Sequence, residues 1–137
     1  MFLLNSLASY GAENFVLNHV RHADRDQFDL SVSYIRGSDA LAEELRLAGA
    51  EVFALRSRRV PLGAAARLGW LLRRRRIDVL QTHIAYAGIF GRLVGRAARV
   101  PVIVSTEQSM RDDRDYPGWL RRANELTFEL ADANVFI

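Results

Sequence analysis

Short apolar runs alternate along this chain with longer stretches of helical period. Residues 2–7 are apolar and end in serine and glycine chemistry, which predicts a strand. Residues 12–23 place Ala12, Phe15, Val16, Val20 and Ala23 on one stripe, the i, i+3, i+4 spacing of a helix. Residues 28–35 alternate Phe, Leu, Val and Tyr with polar neighbours and stop at Arg36-Gly37, a second strand. Ser38 is placed to cap a helix carrying Leu41, Leu45 and Ala48, which Gly49 ends. Residues 51–55 read as a third strand. Pro61 opens a helix with Leu62, Ala65, Leu68, Leu71 and Leu72 on one face, and the arginines at 73–76 fall in its last turn.

The alternation continues to the end. Residues 77–82 predict a fourth strand and 84–98 a fourth helix, in which Ala87, Gly88, Gly91 and Gly95 are small enough to let it lie close to a sheet. Residues 101–106 predict a fifth strand, 109–116 a charge-dense loop, 117–132 a fifth helix and 133–137 a sixth strand. Strands alternating with helices imply βαβ units, right-handed crossovers and an α/β, doubly wound parallel sheet with helices on both faces. The apolar strand at the end leads us to expect one domain cut from a longer protein.

Composition narrows the chemistry. The 137 residues contain no cysteine, so thiol nucleophiles and cysteine-held metals are excluded. All nineteen basic residues are arginine, which excludes a Schiff-base or Walker A lysine. The formal charge of +3 admits an anionic partner without selecting one.

In a sheet of this kind ligands bind beyond the carboxyl ends of the strands, where the strand order reverses. With the common order, that crevice is lined by residues 8–13, 83–86 and 107–109. Gly11 and Ala12 open a helix there, where backbone N–H groups and the dipole suit a phosphate; a turn that simply needs glycine is the plainer reading. The segment is not G-x-G-x-x-G, which disfavours a nicotinamide or flavin site. His83 sits at a strand tip, either bonding a ligand or half-buried against backbone. Glu107 and Gln108 end the fifth strand, as ligand contacts or as the start of a loop. His19 and His22 read as surface residues, and no histidine pair has trusted metal-ligand spacing. The arginines at 73–76 read as a solvated helix end, with an anionic membrane surface as the next choice and nucleic acid disfavoured.

Several stretches, in order, resemble the retaining glycosyltransferases of family four. Asn5-Ser6-Leu7-Ala8-Ser9-Tyr10-Gly11-Ala12-Glu13 resembles the first loop, often G-G-A-E. Residues 71–83, ending Ile77-Asp78-Val79-Leu80-Gln81-Thr82-His83, are similar to "L-L-R-x-x-x-P-D-V-V-H-T-H". Ala87-Gly88-Ile89-Phe90-Gly91-Arg92-Leu93 matches the helix that follows. Val100-Pro101-Val102-Ile103-Val104-Ser105-Thr106-Glu107 resembles "V-P-V-I-V-S-T-E-H-G", and residues 131–137 resemble "A-D-x-V-I-A-V-S".

The resemblance implies the N-terminal, Rossmann-like, acceptor-side half of a GT-B enzyme of cell-envelope polysaccharide or glycolipid synthesis. Such an enzyme transfers a sugar from a nucleotide diphosphate sugar to a hydroxyl acceptor, with retention and without cofactor or metal. The donor would be held mostly by a C-terminal domain outside this chain, and the fragment alone would be inactive. Gly11 and Ala12 would meet the diphosphate. Gln108 stands where the family has its active-site histidine, and His83 matches the second histidine of "H-T-H". Glu107, Ser109, Arg111 and Arg114 would face the acceptor. The expected location is cytoplasmic, with peripheral contact at the inner membrane face. A non-catalytic Rossmann-like binding module or decayed relative is the alternative.

Overall fold

A computed structural model describes residues 1–56, 61–107 and 116–136. Six strands form one parallel sheet in the order β3-β2-β1-β4-β5-β6. The strands are β1 (Phe2–Leu4), β2 (Ser31–Tyr34), β3 (Glu51–Ala54), β4 (Val79–His83), β5 (Val102–Glu107) and β6 (Ala133–Phe136). The helices are α1 (Gly11–His22), α2 (Ala42–Leu47), α3 (Pro61–Arg74), α4 (Ala85–Ala98) and α5 (Gly118–Thr127). The doubly wound α/β fold expected from the alternation is the observed one, and the order reverses between β1 and β4.

Side-chain alternation along β1 divides the core. Phe2 and Leu4 join Val16, Val20, Val32 and Leu45 beneath α1 and α2. Leu3 points the other way, into a cluster with Leu68, Leu72, Leu80 and Ile103 beneath α3 and α4. Leu3, Leu4, Leu68, Leu72, Leu80 and Ile103 are all fully buried, and each contributes about 1.5–3 kcal/mol by leaving water. The small residues of α4 perform the expected task. A Cβ on Gly91 would stand 2.4 Å from Thr82 Cγ2, and one on Gly95 2.9 Å from Ile103 Cδ1.

Several boundaries differ from the sequence reading, and four of the differences have a clear local reason. β1 stops at Leu4 because the Asn5 carbonyl accepts Arg36 N–H and Leu7 N–H donates to the Ser38 carbonyl, carrying the chain off the sheet. Ser38 is not a helix cap: its hydroxyl accepts Ala40 N–H at 3.2 Å within a turn, and α2 begins after Leu41 with no side-chain cap. α3 closes at Arg74, so Arg75 and Arg76 lie beyond it and Arg76 turns into the left-handed region at φ 48°. α5 is shorter than 117–132. The Thr127 hydroxyl donates to the Ala123 carbonyl at 2.8 Å, and the chain tightens into a 3-10 turn at Phe128–Leu130.

Candidate functional site at the strand carboxyl ends

The loops after β1 and β4 flank the reversal point, and each leads into a helix without a side-chain cap. At α1, Tyr10 occupies the N-cap position with extended backbone, and its carbonyl takes the Asn14 N–H at 3.0 Å. Gly11, the first helical residue, is exposed. Beyond its chain neighbours and its own helix backbone, no heavy atom lies within 4 Å of where its Cβ would be, and it does not adopt a left-handed φ. The fold therefore does not demand a glycine there, and the simple turn explanation loses its support. Tyr10 is 73% exposed, so its bulk is directed to solvent. Ala12 is buried against the core.

At α4, Ile84 holds the N-cap position at φ 71° and ψ 152°. A β-branched residue is strained in that region. It is held by Ile84 N–H donating to the Thr106 carbonyl at 3.0 Å and by Gly88 N–H donating back to Ile84 at 2.8 Å. The strained residue directly follows His83.

His83 is fully buried, not half-buried, and neither ring nitrogen has a hydrogen-bond partner among the described residues. Its ring lies 6.0 Å from Phe2 and 5.8 Å from Phe15, on the α1 side of the sheet. Burial, with a smaller push from the charge of His19, lowers its pKa to about 4. The ring is neutral at pH 7 and can serve as a hydrogen-bonding group, not as a cation. His19 and His22 are exposed on α1, as expected.

Glu107 lies on the opposite face. Its carboxylate stands 4.0 Å from the guanidinium of Arg92, which is completely buried in α4. Arg92 also donates to Ser105 Oγ at 2.8 Å, to Thr127 Oγ1 at 2.9 Å and to the Asn124 side chain. Burial lowers the Arg92 pKa, opposed by the Glu107 charge. One side chain thus ties the end of β5 to α5. The strand ends bring His83 and Glu107 to the same rim, but their side chains diverge to either face. Gln108, Ser109, Arg111 and Arg114 lie outside the described residues.

The sequence reading gave no role to three further rim residues, Asn5, Glu13 and Arg36, although Glu13 falls within the 8–13 crevice lining. Glu13 is buried in the first turn of α1, where its Oε1 accepts the Ser6 hydroxyl at 3.3 Å. Its Oε2 and the buried Oδ1 of Asn5 have no partner among the described residues. Arg36, after β2, stacks its guanidinium 5.1 Å from the centre of the Tyr86 ring, bridging toward α4. The glutamate had a signal, since a charged residue followed Ala12 on the apolar stripe. Arg36 had none, because its neighbour Tyr86 is fifty residues away. Among the described residues no three of His, Asp or Glu are grouped to hold a metal ion, and no helix is long and apolar enough to cross a membrane.

No curated protein matches the chain. The family model described as Glycosyltransferase Family 4 matches residues 10–137, from the N-cap of α1 through every later element of the sheet. The chain belongs to glycosyltransferase family 4.

Proposed function

We propose that this chain is the N-terminal, acceptor-side half of a two-domain GT-B glycosyltransferase. The parent moves a sugar from a nucleotide diphosphate sugar to a hydroxyl acceptor in the cytoplasm, with retention. Backbone N–H groups at Gly11 and Ala12 receive the donor diphosphate. Gln108 orients sugar or acceptor by neutral hydrogen bonds, and the buried His83 ring backs the rim without reaching a ligand. Glu107, Ser109, Arg111 and Arg114 form the acceptor side, and a C-terminal domain holds the rest of the donor.

The observation that carries this reading is Gly11. An uncapped helix start, unfilled space over its first residue and a position beside the strand-order reversal together suit a bound phosphate. The test is an NMR titration with UDP, GDP and their sugar conjugates at millimolar concentration. The expected result is amide shifts centred on Gly11 and Ala12. Gly11→Ala should leave stability within about 0.5 kcal/mol, since the fold has room for the methyl group, and should weaken nucleotide binding at least tenfold. Shifts confined to other regions, or unchanged binding by the variant, would refute the assignment.

The second reading is a non-catalytic binding module. It draws on Gln108, which cannot become charged, and on the neutral His83. It predicts nucleotide binding without sugar transfer when both halves are present.

A further inference from the structure

A cation stands at the strand-order reversal without a carboxylate of its own. Arg36 follows β2, and its N–H donates to the Asn5 carbonyl at 2.9 Å, just beyond the end of β1. Its guanidinium lies 5.1 Å from the centre of the Tyr86 ring, in the first turn of α4. In the order β2-β1-β4 the side chain therefore crosses the end of β1, at the reversal point itself. Gly37 fixes this path. It turns at φ 86° so close to the first loop that a Cβ there would stand 3.1 Å from Ser6 Cβ.

A stack on an aromatic ring is not by itself a binding site, and Arg75 shows the difference. Arg75 stacks 5.4 Å from the Phe53 ring but also pairs with Glu51 at 3.0 Å. Arg36 is exposed and forms no ion pair among the described residues. Tyr86 is half-buried against the core beneath α3 and α4, so the platform is fixed. A guanidinium stacked by its face keeps its N–H edge free and has less freedom to lose when that edge binds. The rim also calls for a cation. Glu13 is buried in the first turn of α1 with no cation beside it among the described residues. An anion received at that turn meets the Glu13 charge, and Arg36 supplies the opposite sign on the same rim.

We infer that Arg36 is a phosphoryl-binding residue. Its guanidinium, held on Tyr86, donates paired N–H bonds to the oxygens of a phosphoryl group at the reversal point. Tyr86 is its positioning residue. The phosphoryl group comes from the nucleotide diphosphate of the donor or from a phosphorylated acceptor. The inference deepens the proposed function and rests on it for the identity of the ligand, but its readout, the Arg36 Nε–H, is separate from that of Gly11.

NMR of arginine Nε–H signals follows the side chain directly, with Arg36 assigned by its loss in Arg36→Gln. Inorganic pyrophosphate and UDP should shift this signal, and uridine should not. Glucose 1-phosphate separates the sources: a response to UDP and pyrophosphate alone assigns the donor diphosphate, and a response to glucose 1-phosphate alone assigns an acceptor phosphate. Arg36→Gln should weaken binding of the responding ligand about tenfold. Arg36→Lys, which keeps the charge without the planar fork, should weaken it about threefold. Tyr86→Leu should also cost about threefold, whereas Tyr86→Phe, which keeps the ring, should cost nothing. Arg74→Gln, the same loss of charge at the far end of α3, should leave binding unchanged. Circular dichroism confirms that each variant is folded. The inference is overturned by an Arg36 signal that ignores every phosphate, by equal response to uridine, by unchanged affinity in Arg36→Gln, or by equal loss in Arg74→Gln. If the Gly11 amide still shifts in those samples, the Gly11 assignment stands without it. An Arg36 response with Gly11 and Ala12 silent supports the inference and removes the Gly11 assignment instead.

Discussion

Replacing His83 with phenylalanine tests the buried histidine, because the change keeps an aromatic ring and removes a titrating group. In the native protein the ring is fully buried between Phe2 and Phe15, and its pKa falls from 6.5 to about 4. A base with a depressed folded pKa opposes folding once the unfolded chain takes up its proton. The penalty is absent above pH 6.5, grows as pH falls, and levels off below pH 4. Integrating the proton-binding difference gives a loss of about 2 kcal/mol by pH 5 and about 3 kcal/mol by pH 4. Carboxylates such as Asp132, whose pKa is held down by Arg96 and the Ile103 N–H, also weaken the fold in acid. They do so equally in both proteins. Urea unfolding of native and H83F chains at several pH values therefore isolates His83 as the change in their difference. The native chain should lose about 2 kcal/mol relative to H83F between pH 7 and pH 5. A difference flat to within about 0.5 kcal/mol would show that the ring is charged or solvated in the fold, and the geometry given for it would be wrong.

Two further substitutions probe the frame around the rim. Arg92→Met should destabilise the chain by about 3–5 kcal/mol, because it leaves the Glu107 carboxylate short of its buried cation and frees α5 from β5; a loss below about 1 kcal/mol in chemical denaturation would show that Arg92 does not tie β5 to α5. Gly91→Ala should lose about 1–2 kcal/mol despite the better helix propensity of alanine, because Thr82 and Leu3 must move. Gly63→Ala, in open space on α3, should be neutral or slightly stabilising in the same melt.

The fold was legible because its signals are local. Each strand is a short apolar run, each long helix shows its stripe, and Gly88, Gly91 and Gly95 announced the close approach of α4. Strand order was taken as the common one for doubly wound sheets, and the observed order is that one; crossover handedness sets only the face each helix takes. Errors fell where a distant partner decides an end. Leu7 leaves the sheet through Ser38, and Thr127 ends α5 while accepting Arg92. No periodicity encodes either bond.

The rim shows the same limit more sharply. The sequence placed His83 and Glu107 at the ends of β4 and β5, and Gly11 at the start of α1, because position along the chain follows from counting. It could not say which face each side chain takes. That depends on pairing across the sheet: Gln81 stands beside Phe2, and the period of two then puts His83 on the same α1 face. Glu107, one residue past the Thr106 that pairs with His83, falls to the other face. The rim thus offers two chemically different faces. The one under α1 is aromatic around His83 and holds the buried Glu13 carboxylate in the first turn of that helix, and the one under α4 is ionic around Arg92 and Glu107. The thickness of the sheet thus separates the start of α1 from Glu107, while the carboxylate nearer to Gly11 is that of Glu13, whose Oε1 accepts the Ser6 hydroxyl.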